Sequence, residues 1–249
     1  MSSENTPGTQ DGSSAVKNLI NRSLGMAGYK LSRVNPQGSQ TKLVSAQIPG
    51  WFSDEEAEAL YIAASLVSGN RFLEIGHFLG RSTSAICEAI RDSGFPTEFN
   101  SYDLGFANAE EFVAHYKRIH DTTSVEVPAE YDQLVFAQKT TTTELAKRHL
   151  ARFGLDRFVN LINGDFTLLD RTQYDFVFCD ALHDPGEIRL NLPFVVTASS
   201  DDCVWAFHDM TETNVAAVLQ MSSARLIRVI DTLGIFRFRR TQTPIAVRS

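Results

Sequence analysis

The first residues that could do chemistry lie where a short strand-like segment ends in a glycine turn. The segment Arg71–Ile75 carries Glu74 and is followed by Gly76 and Gly80. Gly76 permits a tight turn, and Gly80 permits a close backbone approach where the next helix begins. Such turns are also common in purely structural roles. Glu74 favours a binding role, because a carboxylate at a strand end can bind a cationic ligand.

A second carboxylate, Asp103, ends the strand-like segment Glu98–Tyr102 about one helix later. At the tip of the second strand of an α/β sheet, a carboxylate can accept hydrogen bonds from both ribose hydroxyls of a nucleoside. Taken alone, Asp103 could equally be a solvated turn residue. Its distance from the glycine turn favours the nucleoside, so the two features together predict a nucleoside-containing ligand.

Two further carboxylates, Asp180 and Asp209, come directly after the strand-like segments Tyr174–Cys179 and Cys203–Phe207. If these strands are neighbours about 4.8 Å apart, both carboxylates converge at one rim of the sheet. Two carboxylates that close repel each other unless a cation or a proton lies between them. A hard, oxygen-binding ion such as Mg²⁺ satisfies that need and leaves positions open for substrate oxygens.

Three histidines accompany these carboxylates. His183 lies three residues beyond Asp180, and an ordinary imidazole pKa of about 6.5 suits a general base for a hydroxyl. The alternative is a loop histidine that is hydrogen-bonded to Asp184 or to the backbone. His208 directly precedes Asp209, and His77 lies inside the glycine turn, where it is expected to shape the pocket.

These motifs resemble those of the class I S-adenosylmethionine-dependent methyltransferases, over a region from about residue 50 to residue 238. The segment from Glu74 to Gly80, followed by Arg-Ser-Thr, resembles the first motif of metal-dependent O-methyltransferases of catechols, antibiotic sugars and related metabolites. Asp103 matches their acidic second motif. The segment 174–184 resembles their fourth-strand motif, and the segment 207–209 resembles their fifth-strand motif.

The resemblance implies a role for each residue. S-adenosylmethionine would contact Glu74, Gly76, His77, Gly80, Ser82, Asp103, Asp165 and Asp180. A divalent metal, Mg²⁺ or another ion, would be held by Asp180, Asp209 and His208. His183 and Asp180 would act on the acceptor hydroxyl. Asp165 would accept from the adenine amino group, although an Asx-turn after a strand is the alternative for this residue.

One residue departs from the pattern of these relatives. Several of them carry two acidic or amide residues where this chain has His208-Asp209. Histidine is a poor ligand for Mg²⁺ and suits Zn²⁺, Fe²⁺ or Mn²⁺ better. This departure leaves three alternatives open: the site binds a softer ion, it holds the metal with fewer protein ligands, or it binds no metal.

The alternation of strand-like and helix-like segments predicts an α/β fold with a doubly wound, mostly parallel sheet. The resemblance makes it a Rossmann-like sheet of seven strands. The segments 225–230 and 235–238 predict a C-terminal hairpin that adds an antiparallel strand at the edge, and residues 121–140 are expected to be irregular. Residues 1–47 are interpreted as a tail with a short helical appendage over 15–24, and residues 48–249 as the methyltransferase domain.

Composition limits the expected binding partners and the expected cellular compartment of the protein. The net charge of -7 disfavours nucleic acid and anionic membranes, because both attract basic surfaces. The three cysteines are far apart and the N-terminus lacks a secretory signal, which predicts a cytoplasmic protein. The expected reaction is methyl transfer from S-adenosylmethionine to a small molecule, at a hydroxyl oxygen, and self-association stays open.

Two other functional classes share parts of this pattern. A nicotinamide-dependent oxidoreductase would also have the glycine turn and the acidic second strand, but Glu74 and the absence of a Tyr-x-x-x-Lys pair argue against it. A non-catalytic, methyltransferase-like binding module is the second alternative. The intact glycine turn and carboxylates argue against such a decayed enzyme.

Overall fold

A computed structural model describes residues 43–120, 125–169 and 172–240 of the chain. These residues all belong to one compact unit, Ser39–Ser249. The helical appendage expected at 15–24 lies outside the described residues, as does most of the segment 1–47. Its described end forms a short 3-10 helix, Val44–Gln47, whose Val44 N–H donates to Glu88 at 2.9 Å.

Seven strands of the described chain form one sheet in the order β3-β2-β1-β4-β5-β7-β6. The strands are β1 Arg71–Ile75, β2 Glu98–Asp103, β3 Asn160–Asn163, β4 Tyr174–Cys179, β5 Ser199–Phe207, β6 Arg225–Ile230 and β7 Leu233–Arg239. Strands β1 to β5 pair in parallel, and β7 runs antiparallel to both β5 and β6. The predicted seven-stranded, mostly parallel α/β fold is confirmed.

The C-terminal hairpin forms, but its antiparallel strand is not at the edge. Strand β7 lies inside the sheet between β5 and β6, and β6 is the edge strand. The reason is the composition of the two strands. Phe236 and Phe238 of β7 are buried, whereas β6 carries Arg225 and Arg228 and is largely exposed.

Seven α-helices are described in addition to short 3-10 turns. They are α1 Asp54–Ser65, α2 Arg81–Ser93, α3 Ala109–His120, α4 Ala129–Leu134, α5 Thr142–Arg152, α6 Pro185–Ala198 and α7 Glu212–Met221. Helix α1 begins with a capping box, in which the Ser53 side chain accepts the Glu56 N–H and Glu56 accepts the Ser53 N–H. Helix α4 lies in the stretch that was expected to be irregular, so that expectation is wrong for residues 129–134. Six residues are too few to show helical periodicity in a sequence.

The core forms two layers, one on each face of the sheet. Because side chains alternate along a strand, Phe72 and Phe176 point to the face covered by α1, α2 and α5. Leu73 and Val177 point to the other face, which α6 and α7 cover. The helices on both faces leave the carboxyl ends of the strands as the edge at which polar side chains gather.

Candidate active site

A cavity of about 660 Å³ lies at the carboxyl ends of β1, β2, β4 and β5. This is the edge at which open α/β sheets bind ligands. Most of the predicted site residues line it, namely Gly76, His77, Ser82, Asp103, Asp165, Asp180, His183, His208 and Asp209. The structure therefore brings the predicted nucleoside, metal and catalytic residues together around one space.

Glu74 does not line this cavity. Its carboxylate is fully buried and accepts hydrogen bonds from the hydroxyls of Ser82 at 2.7 Å, Thr83 at 2.7 Å and Ser101 at 2.6 Å. Burial raises the pKa of Glu74 to about 7, against the lowering effect of the three hydroxyls. Glu74 thus fastens β1 to β2 and to the start of α2, which differs from the direct cofactor contact expected from the sequence.

His77 is held in one orientation by this network. Its Nδ1 lies 2.9 Å from Oγ of Ser101, and its Nε2 lies 3.1 Å from Oγ1 of Thr143. The hydroxyl hydrogen of Ser101 goes to Glu74, so Nδ1 of His77 must be the donor to Ser101. Burial lowers the pKa of His77, which favours the neutral ring with Nε2 accepting from Thr143.

The two glycines of the turn permit close approaches of different kinds. Gly76 has a φ of 87°, and a Cβ there would lie 2.9 Å from the carbonyl oxygen of Asp180. Gly80 has a φ of 91°, and a Cβ there would lie 3.3 Å from the Ala146 side chain of α5. Gly76 thus packs the turn against the end of β4, whereas Gly80 lies behind the cavity wall.

Asp103 is fixed by three donors at the tip of β2. Its Oδ2 accepts the Phe78 N–H at 2.8 Å, and its Oδ1 accepts the Gly105 N–H and the Thr142 hydroxyl, both at 2.8 Å. A carboxylate offers about four acceptor positions. Asp103 therefore still has capacity on Oδ2 for a ligand hydroxyl, in an orientation that the protein has already set.

Asp165 forms the Asx-turn that was the alternative for this residue. Its Oδ1 accepts the Thr167 N–H at 2.8 Å and the Thr167 hydroxyl at 2.7 Å. The residue also lines the cavity. The turn uses Oδ1, so Asp165 has a structural role while it borders the cavity.

His208 lies between two carboxylates. Its Nδ1 is 3.0 Å from Oδ1 of Asp180 and its Nε2 is 3.5 Å from Oε1 of Glu56. Burial alone would lower the pKa of His208, but the hydrogen bonds to Asp180 and Glu56 outweigh it and raise the pKa to about 10. These two hydrogen bonds favour the imidazolium form of His208, and its role as a metal ligand stays a prediction.

Glu56 is the partner that sequence reasoning missed. Its only sequence signal is the capping box of α1, yet Oε1 also accepts the N–H of Thr232 at 3.0 Å and its hydroxyl at 2.7 Å. Burial works against its ionisation, but the bonds from His208, Ser53 and Thr232 lower its pKa to about 2. Glu56 thus joins the cap of α1, the β6–β7 loop and His208.

Asp180, His183 and Asp209 form a group whose ligand atoms all lie within 4.8 Å of one another. Nε2 of His183 is 3.7 Å from Oδ1 of Asp180 and 3.9 Å from Oδ2 of Asp209. Two carboxylate oxygens and one imidazole nitrogen are a donor set that suits Mn²⁺, Fe²⁺ or Zn²⁺. Sequence reasoning had assigned the histidine of this set to His208, whereas the geometry offers His183.

His183 is oriented by a carboxylate of α6. Its Nδ1 lies 2.6 Å from Oε2 of Glu187, while Asp184 caps α6 by accepting from Gly186 and Glu187. Burial alone would lower the pKa of His183, but Glu187, Asp180 and Asp209 raise it to about 9. The spacing of four residues from His183 to Glu187 was the sequence signal that could have revealed this pair.

The fold and the site define a class I methyltransferase domain. Residues 73–210 match the family described as "Methyltransferase domain", which is more than half of the chain, so the protein belongs to that family. The resemblance inferred from the motifs is confirmed at this level. No curated protein sequence matches significantly. Within the described residues, no helix is both long and apolar enough to cross a membrane.

Solved structures with the same fold include two methyltransferases. A SAM-dependent O-methyltransferase from Thermotoga maritima is 13% identical with a TM-score of 0.52, covering 83% of this chain and 72% of that chain. An SAH-bound methyltransferase from Podospora anserina is 14% identical with a TM-score of 0.51, covering 96% of this chain and 100% of that chain. At such identities the likeness establishes the fold.

Proposed function

We propose that this protein transfers the methyl group of S-adenosylmethionine to a hydroxyl oxygen of a small molecule. The observation that carries the proposal is one cavity whose lining brings Gly76, Asp103 and Asp165 together with Asp180 and His183. Family membership supports methyl transfer. The relatives described as SAM-dependent O-methyltransferase and SAH-bound support this cofactor, with oxygen as the acceptor atom.

The residues at the cofactor end fit a nucleoside. Asp103 is preoriented at the tip of β2 and keeps acceptor capacity on Oδ2, where a ribose hydroxyl can donate. Asp165 borders the same space and would meet the adenine. Glu74 and His77 support the cofactor indirectly. Their hydrogen bonds fix the glycine turn on which the cofactor would lie. The cofactor supplies an electrophilic methyl group on a sulfonium, and the leaving product is a neutral thioether.

At the acceptor end, the chain must position a hydroxyl and take its proton. Since Nδ1 of His183 is bound to Glu187, only Nε2 is directed towards the acceptor, next to Asp180. The new bond joins the acceptor oxygen to the methyl carbon as the carbon–sulfur bond breaks. The hydroxyl proton passes to Asp180, or to Nε2 of His183 where that imidazole has lost its own proton, because a pKa of about 9 keeps Nε2 protonated at neutral pH. Preorganised groups of this kind contribute mainly through positioning and electrostatics.

We further propose that a divalent ion assists the reaction, held by Asp180, His183 and Asp209. The donor set fits, as its atoms lie within 4.8 Å of one another. A bound ion would supply positive charge at the acceptor oxygen. His183 cannot serve as both ligand and base, because both roles use Nε2. Removal of metal ions from the purified protein separates the two roles, since only the ligand role fails after chelation.

The cheapest test of the proposal is calorimetry with S-adenosylhomocysteine and, separately, NADH. We expect S-adenosylhomocysteine to bind in the micromolar range and NADH to give no heat. A panel of hydroxylated aromatic and sugar compounds with labelled S-adenosylmethionine would then identify the acceptor class. Binding of NADH alone would overturn the proposal.

Three free, buried cysteines support the further proposal of a reducing, cytoplasmic location.

A further inference from the structure

Asn214 of α7 joins the two loops that carry the candidate metal and catalytic residues. Its side chain is 2% exposed. The Nδ2 group donates one hydrogen to the carbonyl oxygen of His183 at 3.0 Å and the other to the carbonyl oxygen of Asp209 at 2.7 Å. One amide thus bridges the loop after β4 and the loop after β5.

The backbone of Asp209 needs such support. Its φ is 57°, in the left-handed region, which is uncommon for residues other than glycine although aspartate adopts it more readily than most. The carbonyl oxygen of Asp209 also accepts the Thr211 N–H at 2.9 Å, so two donors hold this peptide. Strained residues persist only where their surroundings determine them, and they concentrate at functional sites.

The local position of Asn214 does not by itself explain the contact. Asn214 is the third residue of α7, and Thr211 caps the helix by accepting the Asn214 N–H at 3.2 Å. A side chain at this position of a capping box reaches back to the N–H of the cap residue. The amide of Asn214 instead donates to two carbonyl groups beyond the helix, which requires a side chain with two hydrogens.

We propose that Asn214 is a positioning residue that sets the separation of His183 and Asp209. The inference rests on the proposed function, because these two residues and Asp180 form the candidate metal site. Without the amide, Asp209 can leave the left-handed conformation and the loop after β4 loses its tie to α7. The donor atoms would then no longer lie within 4.8 Å of one another.

The test compares three variants of the full chain. Asn214→Leu keeps the size of the side chain and removes both donors. Asn214→Ser keeps one hydroxyl hydrogen, which can serve only one carbonyl group, and it remains available if Asn214→Leu does not fold. The control is Val218→Ala, because Val218 is fully buried on the same helix and packs in the core rather than at the site.

The affinity for Mn²⁺ alone and for S-adenosylhomocysteine alone is measured by calorimetry. We expect Asn214→Leu to lose about tenfold or more in Mn²⁺ affinity, as is typical when a group that supports metal ligands is removed. Asn214→Ser should lose less, and Val218→Ala should match the wild type. Affinity for S-adenosylhomocysteine should be unchanged in all three. Wild-type Mn²⁺ affinity in Asn214→Leu would overturn the proposal.

A crystal structure of Asn214→Leu, or of Asn214→Ser, tests the inference independently of any metal. We expect Asp209 to leave the left-handed region and its Oδ2 to move beyond the 3.9 Å that now separate it from Nε2 of His183. If both stay as they are, Asn214 does not position the pair. If the wild type binds neither Mn²⁺ nor S-adenosylhomocysteine, the proposed function fails, and this structure still decides on Asn214.

Discussion

Oε2 of Glu187 lies 2.6 Å from Nδ1 of His183 and also accepts the backbone N–H of His183 at 2.9 Å. A single carboxylate oxygen thus fixes both the ring and the main chain of the histidine. The negative charge beside Nδ1 stabilises the imidazolium, which is one reason why the pKa of His183 is raised to about 9.

We expect Glu187→Gln to lower the pKa of His183 from about 9, because the amide can accept the same hydrogen bond but carries no charge. Titration of the imidazole by NMR in metal-free protein measures this directly. Glu212→Gln is the control, since Glu212 also lies in the first turn of a helix but is exposed. An unchanged titration midpoint in Glu187→Gln would show that this carboxylate does not govern the charge of His183.

Asp103→Ala should weaken the binding of S-adenosylhomocysteine by about 1–3 kcal/mol, because a ligand hydroxyl loses its acceptor in a partly buried place. The change also strands the Phe78 and Gly105 N–H groups that Asp103 now binds. Calorimetry gives the affinity, with the exposed Asp92 changed to Ala as the control. Equal affinities for the wild type and Asp103→Ala would show that Asp103 is only a turn residue and does not bind the ligand.

Glu74→Gln should change how stability depends on pH. The folded pKa of about 7 exceeds the ordinary value of 4.5, so between these values the folded state holds a proton that the unfolded state has released. The stability of the wild type therefore falls as the pH rises from 4.5 to 7. The glutamine of this variant would carry no charge, and the three hydroxyls can turn to meet its amide.

Urea denaturation across this pH range measures the effect. We expect the advantage of Glu74→Gln over the wild type to grow with pH and to level off above about 7. The exposed Glu98, changed to Gln, is the control. Parallel stability curves for Glu74→Gln and the wild type would mean that Glu74 titrates alike in both states.

Local sequence signals were enough to predict which residues lie at the strand ends around the site. Gly76, Asp103, Asp180 and Asp209 each lie at a strand end, and parallel strands bring such ends to one edge of a sheet. The alternation of elements was likewise enough for the α/β fold. These predictions succeeded because each depends on neighbours in the chain and on a general property of parallel sheets.

Features that depend on contacts between distant segments could not be predicted. Glu74 looked like a ligand because it lies near the end of a strand, but Ser82, Thr83 and Ser101 enclose it only after β1, β2 and α2 have packed. The orientation of His208 depends on Glu56, which is distant in sequence but lies beside it in the folded domain. The place of β7 inside the sheet depends on which hairpin strand is more apolar, and the turn between the strands does not reveal this.

Asp180 and Asp209 should act as one unit in binding a divalent ion. We expect Asp180→Asn and Asp209→Asn each to abolish most Mn²⁺ affinity, and the double variant to lose little more, because the second carboxylate has no complete site left to contribute to. Mn²⁺ affinity in the wild type should also rise with pH up to about 9, since the ion must displace the proton from Nε2 of His183. Calorimetry at several pH values measures both effects, and His208→Gln serves as a comparison, because His208 lies between Asp180 and Glu56 and is not expected to be a ligand. Additive losses in the two aspartate variants, or a loss in His208→Gln as large as theirs, would contradict this assignment of the ligands.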